Sequence, residues 1–255
     1  MKTIEPLSRF ATLALPGAGA LAGLFAGMAR SRVDRQRAME LHRDVYWRKG
    51  LLPDHNFKPR VLPQACAPGS AIFVAKEHDT IVGTITFYMD SPIGLPMDDI
   101  HGAEVDRMRG NFARVAEVGG LAVLEDRRSV GITTMLYQAT LGWAMAINAQ
   151  CIVACVNPSS RRVYSKLLLF EVLGECKRHP RFLGAPSIPI GLDLTTAAAR
   201  YKETHGGDLD MLCCGTHLPY TFGAIGSAQY LQWSDDEVSE MIQSKQLTLA
   251  GDDQL

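Results

Sequence analysis

No charge of one sign dominates this 255-residue sequence: 26 Lys and Arg stand against 27 Asp and Glu, a formal net charge of −1. A broad basic surface for capturing nucleic acid is thereby excluded. The six cysteines, Cys66, Cys151, Cys155, Cys176 and the adjacent Cys213 and Cys214, have no framework spacing. They read as reduced, mostly buried thiols of a cytosolic protein, and no disulfide is required. His205, Cys213, Cys214 and His217 are too irregularly spaced for zinc, so no metal is expected. The chain also lacks a serine nucleophile elbow, a phosphate-binding P-loop, a dinucleotide fingerprint and any internal repeat. Aromatic residues make up only 7%, yet 47% of the chain is hydrophobic, enough for one α/β domain to bury a sizeable core.

What is present is concentrated between Val115 and Gly174. The apolar run from Val115 to Leu124 is broken by Gly119 and Gly120, where a strand can bulge and leave backbone groups free for a ligand. A charged turn, Glu125 to Ser129, leads into Val130 to Asn148, whose Ile132, Met135, Leu136, Ala139, Trp143 and Ala146 recur at helical spacing. Cys151 to Val156 is short and apolar enough to be a buried strand, and Asn157-Pro158-Ser159 signals a turn and a helix start. The resulting β-α-β-α unit puts two helix N-termini at one edge of a sheet, where open α/β sheets bind ligands.

Around that unit, Asp34 to Lys49 reads as a helix with Ala38, Leu41, Val45 and Tyr46 on one face. Ile72 to Ala75 and Ile81 to Tyr88 read as a hairpin. Met89 to Ala113 is expected to be a long Pro/Gly/Asp-rich connection that covers or shapes a site. Ser187 to Leu194 reads as a strand, Thr195 to Thr204 as a short helix, and Ser234 starts a final helix through Gln243. Tyr220 to Trp233 carries no assignable motif. Phe10 to Ala29 is a 20-residue run without charge, close to the ~20 residues of a spanning helix but interrupted by Pro16 and four glycines. A loosely ordered leader and a membrane anchor are the leading readings, with a secretory signal as the third. If the run spans, the heavier basic flank after it leaves the main domain on the cytoplasmic face of the membrane, so either leading reading keeps that domain in the cytoplasm.

The ordered set Glu117, Leu121-Ala122-Val123, Arg128, Gly131, Asn157-Pro158, Tyr164 and Phe170 resembles the GNAT N-acyltransferase superfamily. Within it, the set is similar to the N-acyl amino acid synthases, themselves akin to the acyl-homoserine-lactone synthases. Val74-Ala75, Ile81 to Thr84, Asp90 to Pro96 and Gly184-Ala185-Pro186 extend the likeness over residues 33 to 195. The resemblance implies a mixed α/β fold whose central sheet is splayed at the acyl-donor site. It divides the chain into an apolar leader, 1 to 32, and a single acyltransferase domain, 33 to 255, with a C-terminal extension from about residue 201. A chain beginning near Arg30 is then expected to stay soluble and active. The implied reaction moves a fatty acyl group, expected to be long, from an acyl carrier protein or coenzyme A thioester to the amine of an amino acid. No permanently bound cofactor is needed. An acyl-homoserine-lactone synthase and a catalytically dead acyl-binding or regulatory module are the alternatives.

Such a transfer needs a neutral amine, donors to polarise the thioester carbonyl, and an acid for the departing thiolate. Glu117 is the candidate base, with pairing to Arg114 as its purely structural alternative, and Tyr164 is the candidate acid, with simple ring packing as its alternative. The donor site is assigned to the backbone of Leu121, Ala122 and Val123, with Arg128, Gly131, Ile132 and Asn157; Asn157 equally suits a helix cap. Thr133 stands where the superfamily pattern has Gly or Ala, which weakens a grip on a pyrophosphate. Arg127, Arg128, Arg161, Arg162 and Lys166 lie near the two helix starts and would suit the acidic face of an acyl carrier protein, or form an ordinary solvated face. Arg43, on the first helix, carries only a weak expectation of an acceptor role. Direct attack is expected, since neither Cys nor Ser occupies the place of a covalent relay.

Overall fold

The computed structural model describes residues 24–53, 62–127 and 130–205. Eight strands and five helices follow in the order β1 (Leu24–Met28), α1 (Arg32–Arg48), β2 (Ala71–Glu77), β3 (Thr80–Met89), α2 (Asp98–Asn111), β4 (Val115–Val123), α3 (Val130–Ala146), β5 (Cys151–Val156), α4 (Arg161–Leu167), β6 (Glu171–Val172), β7 (Lys177–His179), β8 (Ala185–Asp193) and α5 (Leu194–His205). The sheet runs β1-β2-β3-β4-β5-β8-β6, with β7 paired to β8. Among the described residues only β4 and β5 pair in parallel. The α/β class and mixed sheet are those expected.

Strand alternation assigns the two faces. Ala116, Val118 and Val123 of β4, with Phe73 and Ala75 of β2, turn toward Ile132, Leu136, Ala139 and Trp143 of α3 in the main core. On the other face Ala122, Ile72 and Val74 meet Ala38, Leu41 and Val45 of α1. Val115, Val153 and Tyr88 meet Leu95, Met97 and Val105 there. Gly83 lets α3 lie close to β3, since a Cβ there would sit 2.9 Å from Ile132 Cγ2 and 3.1 Å from Leu136 Cδ1.

Two expectations change. The connection after Met89 is not irregular throughout: it holds α2, a helix of 14 residues kinked at His101. Its buried residues are His101, Glu104 and Val105, so it has no apolar stripe for a periodicity argument to find. The end of the apolar leader is also part of the fold. Leu24–Met28 pairs with β2 from Leu24↔Glu77 to Met28↔Phe73, and Ala26 and Met28 are buried. The sheet therefore begins before residue 33, and a helix spanning Phe10 to Ala29 would have to break this pairing. Among the described residues no helix is long and apolar enough to cross a membrane. The helix expected from Ser234, the aromatic stretch Tyr220 to Trp233, the bulk of the C-terminal extension, Cys213, Cys214, His217 and Arg128 all lie outside the described residues.

Candidate active site

The central opening follows from the ladders. β4 and β5 pair only at Val115↔Cys151, Ala116↔Ile152 and Glu117↔Val153. Past that point β4 continues along β3 to Val123, while β5 continues along β8 to Val156. The edge of β4 facing β5 is thus unpaired from Val118 onward among the described residues. In the same place β4 bulges: Thr86 pairs with Gly119 and Thr84 with Ala122, so Gly120 and Leu121 together oppose Ile85. Gly120 has φ +63°, a conformation that favours glycine and turns backbone donors out of the ladder.

Glu117 stands at the last paired step. Its side chain is buried, and Oε2 accepts a hydrogen bond of 2.8 Å from Met97 N. Burial pushes its carboxyl up, the Met97 N–H partly offsets this, Asp98 adds to the rise, and the result is about 8. Arg114 is not its partner; that guanidinium donates to Ile147 O at 2.9 Å. Oε1 lies on the Gly119 side, 3.7 Å from where a Cβ on that glycine would be.

Tyr164 approaches from the other face. It is the fourth residue of α4, packs edge-on against Phe170 at 5.8 Å, and shares a hydrogen bond between hydroxyls with Tyr137 of α3. Burial raises its phenol and the bond to Tyr137 lowers it in part, with a net rise. It therefore carries its proton at neutral pH. Tyr46 of α1 and Tyr88 of β3 complete a group of four phenols: Tyr46 is raised by burial and then by Tyr164 and Tyr88, and Tyr137 is raised by burial and then by Tyr164, with Tyr46 adding.

The remaining expected residues divide. Leu121 is half-buried against the main core, while Ala122, Val123 and Ile132 are core side chains; only their backbone is available to a ligand. Gly131 is buried in the first turn of α3. Asn157 caps a 3-10 turn, Oδ1 accepting from Ser159 N at 3.0 Å and from Ser159 Oγ at 2.8 Å. Arg161, Arg162 and Lys166 are exposed along α4. Arg127 instead pairs with Glu77 at 2.9 Å and Asp126 at 3.3 Å. Arg43 is held by Asp44 at 2.7 Å, which accounts for it without an acceptor.

Sequence reasoning missed Tyr137, Met97, Arg109 and His42. His42 projects from α1 so that a Cβ on Gly120 would lie 3.6 Å from its Nε2, and that atom is buried with no hydrogen-bond partner. Burial, reinforced by Lys49, lowers its imidazole to about 4, so a neutral ring with an unmet hydrogen-bonding group faces the bulge. The signal for it was present as a histidine between the buried positions Ala38, Leu41 and Val45, one turn from Tyr46. Among the described residues no cluster of His, Cys, Asp or Glu suits a metal ion.

An open mixed sheet split between two parallel strands is the GNAT-type acyltransferase fold. The family model for the N-acyl amino acid synthase FeeM matches residues 37–193, and the chain belongs to that family. The FeeM structure from uncultured soil microbes is 23% identical, with a TM-score of 0.61, covering 69% of this chain and 94% of that one. The CoA-dependent acyl-homoserine lactone synthase MesI is similar at 14% identity and a TM-score of 0.51, over 72% of this chain and 96% of that one. A GNAT-family acetyltransferase from Streptococcus pneumoniae is similar at 13% identity and a TM-score of 0.48, over 67% and 99%. A comparison with curated protein sequences found no significant match.

Proposed function

We propose that this enzyme joins a long fatty acyl group to the amine of an amino acid, taking the acyl group from an acyl carrier protein thioester in the cytoplasm. The observation that carries the reading is the opening itself: pairing of β4 and β5 stops at Glu117↔Val153, and Glu117 and the Tyr164–Tyr137 pair flank the gap from opposite faces. The free edge of β4 beyond Glu117 suits the amide-bearing pantetheine arm, which would add to it as a strand would. Backbone N–H groups from Leu121 to Val123 then polarise the thioester carbonyl. Glu117 takes a proton from the ammonium. Its carboxyl is pushed up to about 8, toward the range in which an acceptor ammonium gives up its proton, and this narrows the gap that the transfer has to cross. The amine attacks the carbonyl carbon, the C–S bond breaks, the Tyr164 proton goes to the sulfur, and the second proton that the nitrogen loses as it becomes an amide returns, through water, to the Tyr164 oxygen. No side chain is acylated on the way.

The carrier as donor is supported by the exposed Arg161, Arg162 and Lys166 on α4, beside Tyr164, and by Thr133 in place of a small residue near the helix start. Arg127, engaged by Glu77, is left out of this dock. Thiol release with one acyl chain on carrier protein and on coenzyme A, in a mixture of amino acids, tests the reading. Faster turnover on the carrier is expected, with Arg161→Glu plus Arg162→Glu raising KM for the carrier alone and leaving kcat nearly unchanged. Equal or better efficiency with coenzyme A, insensitive to that reversal, overturns the donor assignment. Mass spectrometry of the product decides between an N-acyl amino acid and a lactone.

A further inference from the structure

Beside Glu117 lies a group of charges that the reaction described above does not use. Arg109 of α2 donates from Nε and Nη2 to the two carboxylate oxygens of Asp90, each at 2.8 Å. Its Nη1 and Nη2 also donate to the two oxygens of Asp98, each at 2.7 Å, and Nη1 reaches Asp106 at 2.9 Å. Asp90 closes β3 and Asp98 opens α2, so one guanidinium bridges the two ends of the 90–97 connection. Asp98 Oδ2 also accepts from Leu95 N at 2.7 Å. Gly94, with φ +73°, leaves room for that same oxygen, since a Cβ there would lie only 2.5 Å from it. Leu95 and Met97 are buried beneath this clamp. The one product of the arrangement that reaches the opening is the Met97 N–H on Glu117 Oε2.

We propose that Arg109 is a positioning residue for acyl transfer: by clamping Asp90 to Asp98 it holds the Met97 N–H against one oxygen of Glu117 and leaves the other turned toward the opening. This deepens the assignment of Glu117 as base and rests on it. Bidentate bonds to two carboxylates fix the connection far more tightly than a lone ion pair. Arg109 also balances the charge of Asp98, the acidic neighbour that raises Glu117. The other titrating groups beside Glu117 are Tyr88 on β3 and Cys155 on β5, each raised first by its own burial and then by the Glu117 charge; the thiol reaches about 12. Both are neutral where Glu117 titrates, so Asp98 and its clamp set the local charge there.

The test is the pH profile of kcat/KM for three variants of the full chain, paired with an NMR titration of the Glu117 carboxyl carbon. Arg109→Gln uncovers the Asp98 charge and releases Met97, so the acidic limb should move up by about one pH unit. Asp98→Asn, with its amide oxygen in the place of Oδ2, keeps the acceptor for both Leu95 N and Arg109 Nη2 and so leaves Met97 in place but removes the charge; the limb should move down by a similar amount. Arg109→Lys keeps the charge without the fork and should fall between Arg109→Gln and the parent. The titration of the acceptor amine is common to all variants, so the differences belong to the enzyme. Opposite shifts in both readouts support the proposal, because a purely structural role cannot reverse sign between two members of one network. A uniform loss of rate with the midpoint fixed overturns it. If Arg109→Gln does not fold, Asp98→Asn and Arg109→Lys still decide by their order. Carboxyl shifts without any movement of the rate profile also overturn it, and then locate the failure in Glu117 as the base.

Discussion

Helix α3 holds its face of the sheet with Ile132, Leu136, Ala139 and Trp143, whereas α2 holds the other with Val105, Glu104 and the Arg109 clamp. The apolar wall tolerates small adjustments, since dispersion and burial are spread over many contacts. The polar wall is different in kind, because each hydrogen bond in it fixes a direction and the sum places one N–H on one oxygen. Position matters more at Glu117 than at the core beneath it, and the charged residues are spent there. Tyr164, the proton donor of the proposed reaction, belongs to the apolar wall and Glu117, its proposed proton acceptor, to the polar one, so the two halves of that reaction would depend on different physics.

The largest expected break in that comparison is Glu117→Gln. Loss of a general base costs about 10²- to 10⁴-fold in rate, and the deficit should shrink at high pH, where the acceptor amine is already neutral; a pH-independent deficit in kcat/KM counts against the role. Stability should move the opposite way. Glu117 holds its proton to about 8 when folded, against about 4.5 in the unfolded chain. Between those values the folded state binds more protons, so stability falls as pH rises through that window. Gln has no proton to lose, and Glu117→Gln should therefore gain in melting temperature relative to the parent as pH rises from about 4.5 to about 8, then by a constant margin above it.

Next in size is an effect confined to the apolar side. Starting the chain at Arg30 removes β1, takes Ala26 and Met28 out of the main core and bares the edge of β2. By analogy with truncating one large core side chain, about 2–5 kcal/mol should be lost in denaturant unfolding. The midpoint of the pH–rate profile should not move, because nothing in β1 touches the polar wall. A fully stable chain from Arg30 would show that β1 contributes nothing to the fold.

What could be read from the sequence follows the same division. The strands and helices from Val115 to Leu167 announce themselves through apolar runs and helical spacing, and Glu117 and Tyr164 stood out as polar residues set into them. Helix α2 did not. Gly102 and Gly110 interrupt it and its buried set includes a histidine and a glutamate, so its stability comes from partners far away in sequence: Asp90, and Lys177 on Glu104 at 3.2 Å. The boundary at residue 33 failed for a related reason. Leu24–Met28 is too short to stand out within a longer Ala- and Gly-rich run, and only its pairing with β2 makes it a strand. Tyr137 was hidden in plain periodicity, since a tyrosine on the inner side of α3 looks like core until its hydroxyl is seen against that of Tyr164.

Tyr164→Phe should lower kcat by about 10- to 100-fold. This is the low end for a lost general acid, because a thiolate is a good leaving group and departs tolerably well without help. The measurement that checks it is kcat with donors whose thiols differ in acidity: the deficit should narrow as the leaving thiol becomes more acidic. A deficit unchanged across the donors would reduce Tyr164 to a packing residue.

The smallest effect tests how the two phenols divide their labour. Tyr137→Phe keeps the ring that packs edge-on against Tyr164 at 5.6 Å and removes only the hydroxyl. That hydroxyl is what partly lowers the Tyr164 phenol against the effect of burial, so without it Tyr164 becomes a weaker acid. One neutral hydrogen bond is worth about 0.5–1.5 kcal/mol, so kcat should fall by roughly 2- to 12-fold, less than in Tyr164→Phe. With Tyr164 as the proposed proton donor, Tyr137→Phe should also move the alkaline limb of the kcat profile upward. In the double variant Tyr137→Phe plus Tyr164→Phe the loss should equal that of Tyr164→Phe alone, since Tyr137 acts only through its neighbour. A Tyr137→Phe loss as large as that of Tyr164→Phe, or a double variant whose losses simply multiply, would instead make Tyr137 a proton donor in its own right and shift the acid of this site from α4 to α3.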